Sequence, residues 1–373
     1  MKKSYLMIAA AATLLVACYE NDKLAEESEP QLIGFSKVYI EKGTKAFVTG
    51  AYDMNNFETE GNTFGVFGYK DATSNNMKVF GERTGEEEGV KVTYGTDWTY
   101  SPLRYWDKAA SAYHFYAYAP HSDNFEGTAS LASNSQDAFS ISGFKQATTQ
   151  SAMIDLMTDL TSKATVNSTT TKPLGENDVE FTFKHILSNI NIRMAVGADL
   201  KADKANNPVT VTSVSVGAIK MDGSYAFNEG YKWTLAATPT TQTFPATEQS
   251  TGIVFAADEL KAISNTATNS LDVSDVDTKA TAVAGLTDLL FVPQTVIDDY
   301  VINVTYKIQN EVFSKTIKLN AFLKTTDNTS VLSTWEPGYK YTYILVIGPT
   351  PIRFDVADIT GWTDGGTYLY NIN

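Results

Sequence analysis

The chain has 373 residues, 43% apolar and 19% charged, with a formal net charge of −14 at pH 7. That apolar content excludes an intrinsically disordered chain, and the length suggests two domains. The acidic balance excludes nucleic acid as a partner, because little is present to neutralise phosphates, and it disfavours electrostatic attachment to anionic lipid. One cysteine, Cys18, leaves no disulfide, no thiolate metal site and no catalytic thiol in the body of the protein.

Lys2 and Lys3 precede a run from Tyr5 to Ala17 that is apolar apart from Thr13. The run is shorter than the roughly 20 residues a membrane-spanning helix needs, and it has the length of a signal-peptide core. Its end, Leu14-Leu15-Val16-Ala17-Cys18, resembles a lipobox, the substrate of lipoprotein signal peptidase. The plain alternative is an ordinary signal peptide that contains a cysteine. The resemblance implies that residues 1–17 are a signal peptide, that Cys18 is lipidated and becomes the N-terminus, and that residues 18–31 are an acidic, polar tether. Each buried CH₂ of an acyl chain contributes ~0.8 kcal/mol, so two or more chains anchor a soluble body stably.

The 20 Tyr, 19 Phe and 5 Trp, with abundant Val, Ile and Thr, favour strands, and no long stretch holds a helical period. A strand is predicted at Leu32–Ile40, followed by a turn at Glu41-Lys42-Gly43. Asn62–Tyr69 is a strand spaced by glycines that mark bends or close packing. Ala112–Pro120 is apolar or aromatic on both faces, as a strand buried on both sides is. Residues 162–178 have linker composition and divide the chain into an N-terminal domain, 32–174, and a C-terminal domain, 175–373. Phe181–Met194 reads as one long strand whose alternation changes phase, which predicts a β-bulge near His185–Leu187. The pattern Val209, Val211, Val214, Val216 slips in the same way. Ile302–Ile308 and Phe313–Leu319 form a hairpin with one solvated face, and Tyr339–Ile347 and Ile352–Trp362 supply the last strands. The whole predicts an all-β chain of two tandem β-sandwich domains.

Little in the sequence recommends chemistry. His114 and His185 sit inside apolar strands and read as packed core or bulge residues, and His121 follows Pro120 in a loop. No nucleophile elbow, zinc-binding His pair or phosphate loop occurs. Asp272, Asp275 and Asp277 lack the glycine and terminal glutamate of a calcium loop. The expectation is therefore a non-enzyme with no catalytic residue, no cofactor and no metal.

Several runs, in order, resemble the fimbrillin superfamily, the Mfa-like lipoprotein pilins of Gram-negative gut and oral anaerobes. They are the lipobox, Thr44-Lys45-Ala46, Trp98 with Tyr105-Trp106, Tyr113–Pro120, Asp155-Leu156-Met157, Phe183–Ser188, Trp335–Tyr343 and Ile359-Thr360-Gly361-Trp362. The resemblance implies two transthyretin-like β-sandwiches, export to the outer membrane as a lipoprotein, and assembly into a fimbrium with other pilin subunits by strand exchange. It implies proteolytic processing between Lys45 and Ala46, which removes the strand Leu32–Ile40. Lysine stands here where better-studied members carry arginine, and an ordinary lysine in an exposed turn is the plain alternative. The implied donor strand is the tail Thr367–Asn373, with Tyr368, Tyr370 and Ile372 on one face; that alternation suits an ordinary final strand equally well. The partners implied are further subunits, the membrane through the lipid, and a host or bacterial surface receptor that the sequence does not name. A surface glycan-binding lipoprotein is the competing reading, because aromatic-rich β-sandwiches on an acidic tethered body also suit that role. A lipoprotein hydrolase has only carboxylate pairs that sequence cannot locate.

Overall fold

The computed structural model describes residues 30–35, 37–41, 57–71, 76–107, 109–161, 165–166, 178–196, 209–228, 230, 232–237, 241–245, 253–254, 281–282, 286, 288–308, 311–324, 331–347 and 363–372. Cys18, Lys45, Ala46, the aspartates at 272, 275 and 277, and the run Ile352–Trp362 lie outside the described residues. The described elements are strands and short 3-10 turns such as Ser122–Asn124, so the chain is all-β as its composition predicts.

In chain order the first strands are β1 (Lys37–Ile40), β2 (Thr63–Asp71), β3 (Asn76–Phe80), β4 (Val90–Tyr94), β5 (Trp98–Tyr100) and β6 (Ala112–Ala119). Then come β7 (Glu126–Leu131), β8 (Phe139–Lys145), β9 (Met157–Asp159), β10 (Thr165–Val166) and β11 (Glu180–His185). Nine of these form one sheet ordered β1-β11-β9-β6-β2-β4-β5, with β10 on β6 and β3 on β2. The central strands β2 and β6 are buried on both faces, which is why neither shows polar alternation. Phe64, Val66, Tyr113 and Phe115 face one core, whereas Phe67, Tyr69, Tyr116 and Tyr118 face another. Gly65 is required by this packing, since any side chain there would run into the Tyr118 ring. The sheet closes around the first core: Phe35, beside β1 at one end, meets Tyr100 of β5 at the other, with ring centroids 5.4 Å apart.

The later strands are β12 (Ser188–Val196), β13 (Val209–Lys220), β14 (Asp222–Ala226), β15 (Lys232–Leu235), β16 (Thr241–Pro245), β17 (Ile253–Val254), β18 (Thr281–Ala282) and β19 (Leu289–Phe291). They are followed by β20 (Gln294–Thr295), β21 (Val301–Ile308), β22 (Glu311–Lys318), β23 (Leu323–Lys324), β24 (Thr334–Trp335), β25 (Tyr339–Ile347) and β26 (Thr363–Ile372). One sheet runs β18-β12-β25-β26-β23 with β19 on β12, and a second runs β16-β13-β21-β22 with β17 on β13. Their inner faces share one core, with Ile190, Ile192, Tyr343 and Leu345 from the first and Val214, Val216, Ile302 and Val304 from the second. This is a β-sandwich. Trp335 sits buried within it, stacked on Phe291 and Tyr300 and donating its indole N–H to the Tyr343 hydroxyl at 2.9 Å.

The phase change in 181–194 has a different cause from the predicted bulge. β11 ends at His185 and β12 begins at Ser188, and the two strands belong to different sheets. Between them the Ile186 N–H donates to the Leu156 carbonyl at 3.0 Å and the Leu187 carbonyl accepts from Gly338 N–H at 2.7 Å. The slip at Val211 is a true irregularity, because the β13–β21 register shifts between Val211 and Ser213. The 302–319 hairpin forms as predicted, with Ile302 opposite Ile317 and Tyr306 opposite Phe313.

Two features tie the early and late parts of the chain together. The hairpin β14–β15 adds to β8 and β7 to make a four-stranded sheet, whose apolar face joins the second face of β2 and β6. Buried Gln146 uses every polar position it has: its Nε2 donates to the carbonyls of Ile154 at 2.8 Å and Leu290 at 3.0 Å, and its Oε1 accepts from the N–H groups of Ala147 and Ile154. A buried backbone group left without a partner costs about 1–3 kcal/mol. Gln146→Ala is therefore expected to destabilise the protein by about 2–4 kcal/mol, measured as a lower midpoint of urea unfolding.

Candidate functional site

The site is the cleft in the nine-stranded sheet that holds residues 31–35 and 37–41. This short segment alternates in sequence, and its apolar members Ile33, Phe35 and Val38 are 1%, 2% and 3% exposed. Its backbone changes partners halfway. The Ile33 N–H donates to the Arg104 carbonyl and the Trp106 N–H donates to the Gln31 carbonyl, each at 2.9 Å, with Leu32 bridged to Tyr105. Beyond that, the Val179 N–H donates to the Gly34 carbonyl at 2.9 Å, and β1 runs parallel to β11 from Lys37 opposite Glu180 to Ile40 opposite Phe183. The Glu41 N–H closes the pairing on the Phe183 carbonyl at 2.8 Å.

Phe35 enters a ring of aromatic side chains. Its centroid lies 6.1 Å from Phe64, 5.7 Å from Phe80, 6.2 Å from Phe115 and 5.8 Å from Phe181, mostly edge to face. Such pairs contribute about 0.5–1.5 kcal/mol each beyond their buried area. Gly34 precedes it because the Asp178 carboxylate lies over that backbone and would collide with a Cβ.

The loop wall of the cleft is held by Tyr100 and Arg104. The Tyr100 hydroxyl donates to the Ile33 carbonyl at 2.8 Å and also meets the Arg104 carbonyl and N–H, each at 3.3 Å. Burial pushes that hydroxyl from 10.0 up to about 12, so it stays a neutral donor across the physiological range. Arg104 is buried; its Nε donates to the Val79 carbonyl at 2.6 Å, its Nη1 to the Pro102 carbonyl at 3.0 Å, and its Nη2 pairs with Glu86. Its guanidinium lies 4.7 Å from the Phe80 ring centroid, within cation–π range. Breaking a buried pair of this kind leaves an uncompensated charge.

Of the residues singled out in the sequence, Tyr368, Tyr370 and Ile372 lie on β26, opposite Tyr343, Leu345 and Ile347 of the parallel neighbour β25. Leu323 and Lys324 pair with the other side of β26 at Leu369 and Tyr368. The tail and the cleft thus belong to different sheets of the same chain. The histidines bond locally: His114 Nε2 to Asp71 at 3.1 Å, His185 Nδ1 to Asp155 at 3.0 Å, and His121 to the turn at Asp123. Burial holds His121 below the usual histidine range. Among the described residues, no group of three or more His, Cys, Asp or Glu is placed to hold a metal ion. Tyr100, Arg104 and the plugging role of Phe35 were not foreseen. Only the predicted strand at Leu32–Ile40 pointed that way, because the clasp forms between remote segments.

These features define a class: an all-β protein whose first core is completed by a strand from its N-terminal region. The family described as Fimbrillin-like matches residues 44–362, and the chain belongs to it. A fimbrial protein from Bacteroides vulgatus is 22% identical with a TM-score of 0.50, over 85% of this chain and 94% of that one, and it shares the fold. Candidate cell adhesion proteins from Bacteroides uniformis and Bacteroides ovatus are 17% and 12% identical, each with a TM-score of 0.42. They cover 86% and 85% of this chain, and 94% and 92% of their own lengths. No curated protein matches the sequence.

Phe35→Ala is expected to destabilise the nine-stranded sheet by about 3–5 kcal/mol, read as earlier urea unfolding. Because the folded Tyr100 favours its neutral form, its contribution is complete below pH 10.0 and is lost as pH rises through about 12. Unfolding free energy measured across that range should fall more steeply in the native chain than in Tyr100→Phe, which starts about 1 kcal/mol less stable.

Proposed function

We propose that the chain is a structural subunit of a surface fimbria, or an adhesin carried by one, exported as a lipoprotein on Cys18 and assembled by strand exchange. In this reading the chain forms two bodies, expected from the sequence as 32–174 and 175–373, with β11 and the β14–β15 hairpin of the second range pairing with strands of the first. The observation that carries it is the plug: Ile33, Phe35 and Val38 complete a core from a segment at the sheet edge. Processing between Lys45 and Ala46 would separate that segment from the body together with the lipid. Vacating the cleft would uncover the Phe64–Phe80–Phe115–Phe181 ring and free the backbone groups of Arg104, Trp106, Val179 and Phe183. An apolar groove beside an unpaired edge is the substrate of β-augmentation, in which another chain's strand supplies both the hydrogen bonds and the side chains.

The donor in this reading is the tail bearing Tyr368, Tyr370 and Ile372. It has to leave β25 to reach a neighbour, so docking competes with its own sheet. Family membership supports the fimbrial role, and the acidic, aromatic-rich composition suits an exposed surface protein. No catalytic step is needed.

The test is to express the full chain in an anaerobic host that assembles such fimbriae and to sequence the mature N-terminus. The reading predicts Ala46 as the N-terminus and an SDS-resistant ladder, with Lys45→Ala abolishing both. A sole N-terminus at acylated Cys18, without a ladder, would contradict it.

A further inference from the structure

A second cluster lies on the sandwich, away from the cleft. Asn189 of β12 and Lys340 of β25 are direct neighbours in the parallel register of the two strands, so their side chains share a face. Both reach one atom: Asn189 Nδ2 donates to Asp288 Oδ1 at 3.1 Å, and Lys340 Nζ donates to it at 3.3 Å. Asn189 is 1% exposed and the Lys340 side chain 13%, whereas Asp288 is more open. Asp288 adopts a φ of +52°, a left-handed conformation that a residue with a side chain rarely takes, and its N–H donates to Asn191 Oδ1 at 3.0 Å. Asn191, itself buried, donates from Nδ2 to Asn189 Oδ1 at 2.6 Å.

An amine, a primary amide and a carboxyl group between them are the reactants and proton relay of amide exchange. The amide oxygen also has a donor aimed at it from Asn191, which draws electron density from its carbon and stabilises the oxyanion that forms on attack. We propose that Lys340 and Asn189 join in an intramolecular isopeptide bond, with Asp288 relaying the proton and Asn191 polarising the amide. Lys340 passes a proton to the Asp288 carboxylate, and its neutral Nζ attacks Cγ of Asn189. The Nζ–Cγ bond forms, the Cγ–Nδ2 bond breaks, Asp288 returns its proton to the departing nitrogen, and the second proton that Nζ sheds on becoming an amide passes through Asp288 to the released ammonia. Ammonia leaves towards the open side of Asp288, and no oxidant or other reactant is consumed. Holding the amine and the amide on one carboxylate oxygen of a rigid sheet cuts the entropic cost of bringing them together, which favours such a step without an enzyme.

The product is a covalent rung between adjacent strands of the sandwich, added to the backbone hydrogen bonds and core packing that already join them. A pulling force that peels β25 from β12 would then meet a bond that unfolding does not release. The inference stands on this cluster alone and does not need the fimbrial reading.

Mass spectrometry of the purified full chain, intact and after trypsin, tests it. The expected result is a chain one ammonia lighter than its sequence, with a branched peptide joining Asn189 to Lys340. Asp288→Ala and Lys340→Arg, still folded by circular dichroism, are expected to keep the full sequence mass. An unmodified chain with both peptides unlinked would overturn the proposal. Loss of one water with Lys340 joined to Asp288 would overturn the assignment of Asn189, and an ammonia loss that persists in Lys340→Arg would overturn that of Lys340.

Discussion

The nine-stranded sheet depends on the insertion of Phe35 into the ring formed by Phe64, Phe80, Tyr100, Phe115 and Phe181. These partners come from β2, β3, β5, β6 and β11, and Phe35 is the side chain they share. It arrives on a segment with few residues of its own, held to β11 on one side and to the 104–106 loop on the other. The segment is therefore an integral part of the first core. Removing the segment takes away apolar burial worth about 1.5–3 kcal/mol for each large side chain, and it strands several backbone groups at once.

The wall that receives the segment is stiffened by charge as well as by packing. Arg104 is held by two carbonyls, Glu86 and the face of Phe80, so the loop carrying its carbonyl towards Ile33 is anchored by contacts that do not involve the segment. The Tyr100 hydroxyl then spans the wall and the segment. Such preorganisation lowers the ordering cost of binding a strand, and it does so for any strand whose backbone runs the same way.

Much of the architecture was legible in the chain. The double-sided apolar run at 112–120 marked a strand between two cores, and the slip at Val211 marked a register shift. The alternation at 302–319 marked a hairpin whose outer strand is largely solvent-facing. The break at Ile186-Leu187 was not, because a bulge and a change of sheet leave the same phase shift in the sequence, and only the remote partners Leu156 and Gly338 distinguish them. The addition of β14–β15 to β8 was equally hidden, since strand pairing between distant segments leaves no local pattern. At the cleft, the sequence predicted a strand over Leu32–Ile40 but not its destination; the strand itself is Lys37–Ile40, and Ile33 and Phe35 lie in the extended stretch before it. The clasp of Tyr100 and Arg104 exists only once the 98–106 turn has folded back over β3, and the Asn189–Asp288–Lys340 cluster similarly assembles from three separate elements.

The claim at the centre is that residues 31–41 complete the first core as a separable strand. The direct measurement is the unfolding free energy of the chain lacking residues 1–45, with and without a synthetic peptide of residues 30–41. The account predicts a strongly destabilised body that the peptide restores saturably, with a Phe35→Ala peptide failing to do so. A truncated chain as stable as the full one, and indifferent to the peptide, would contradict it.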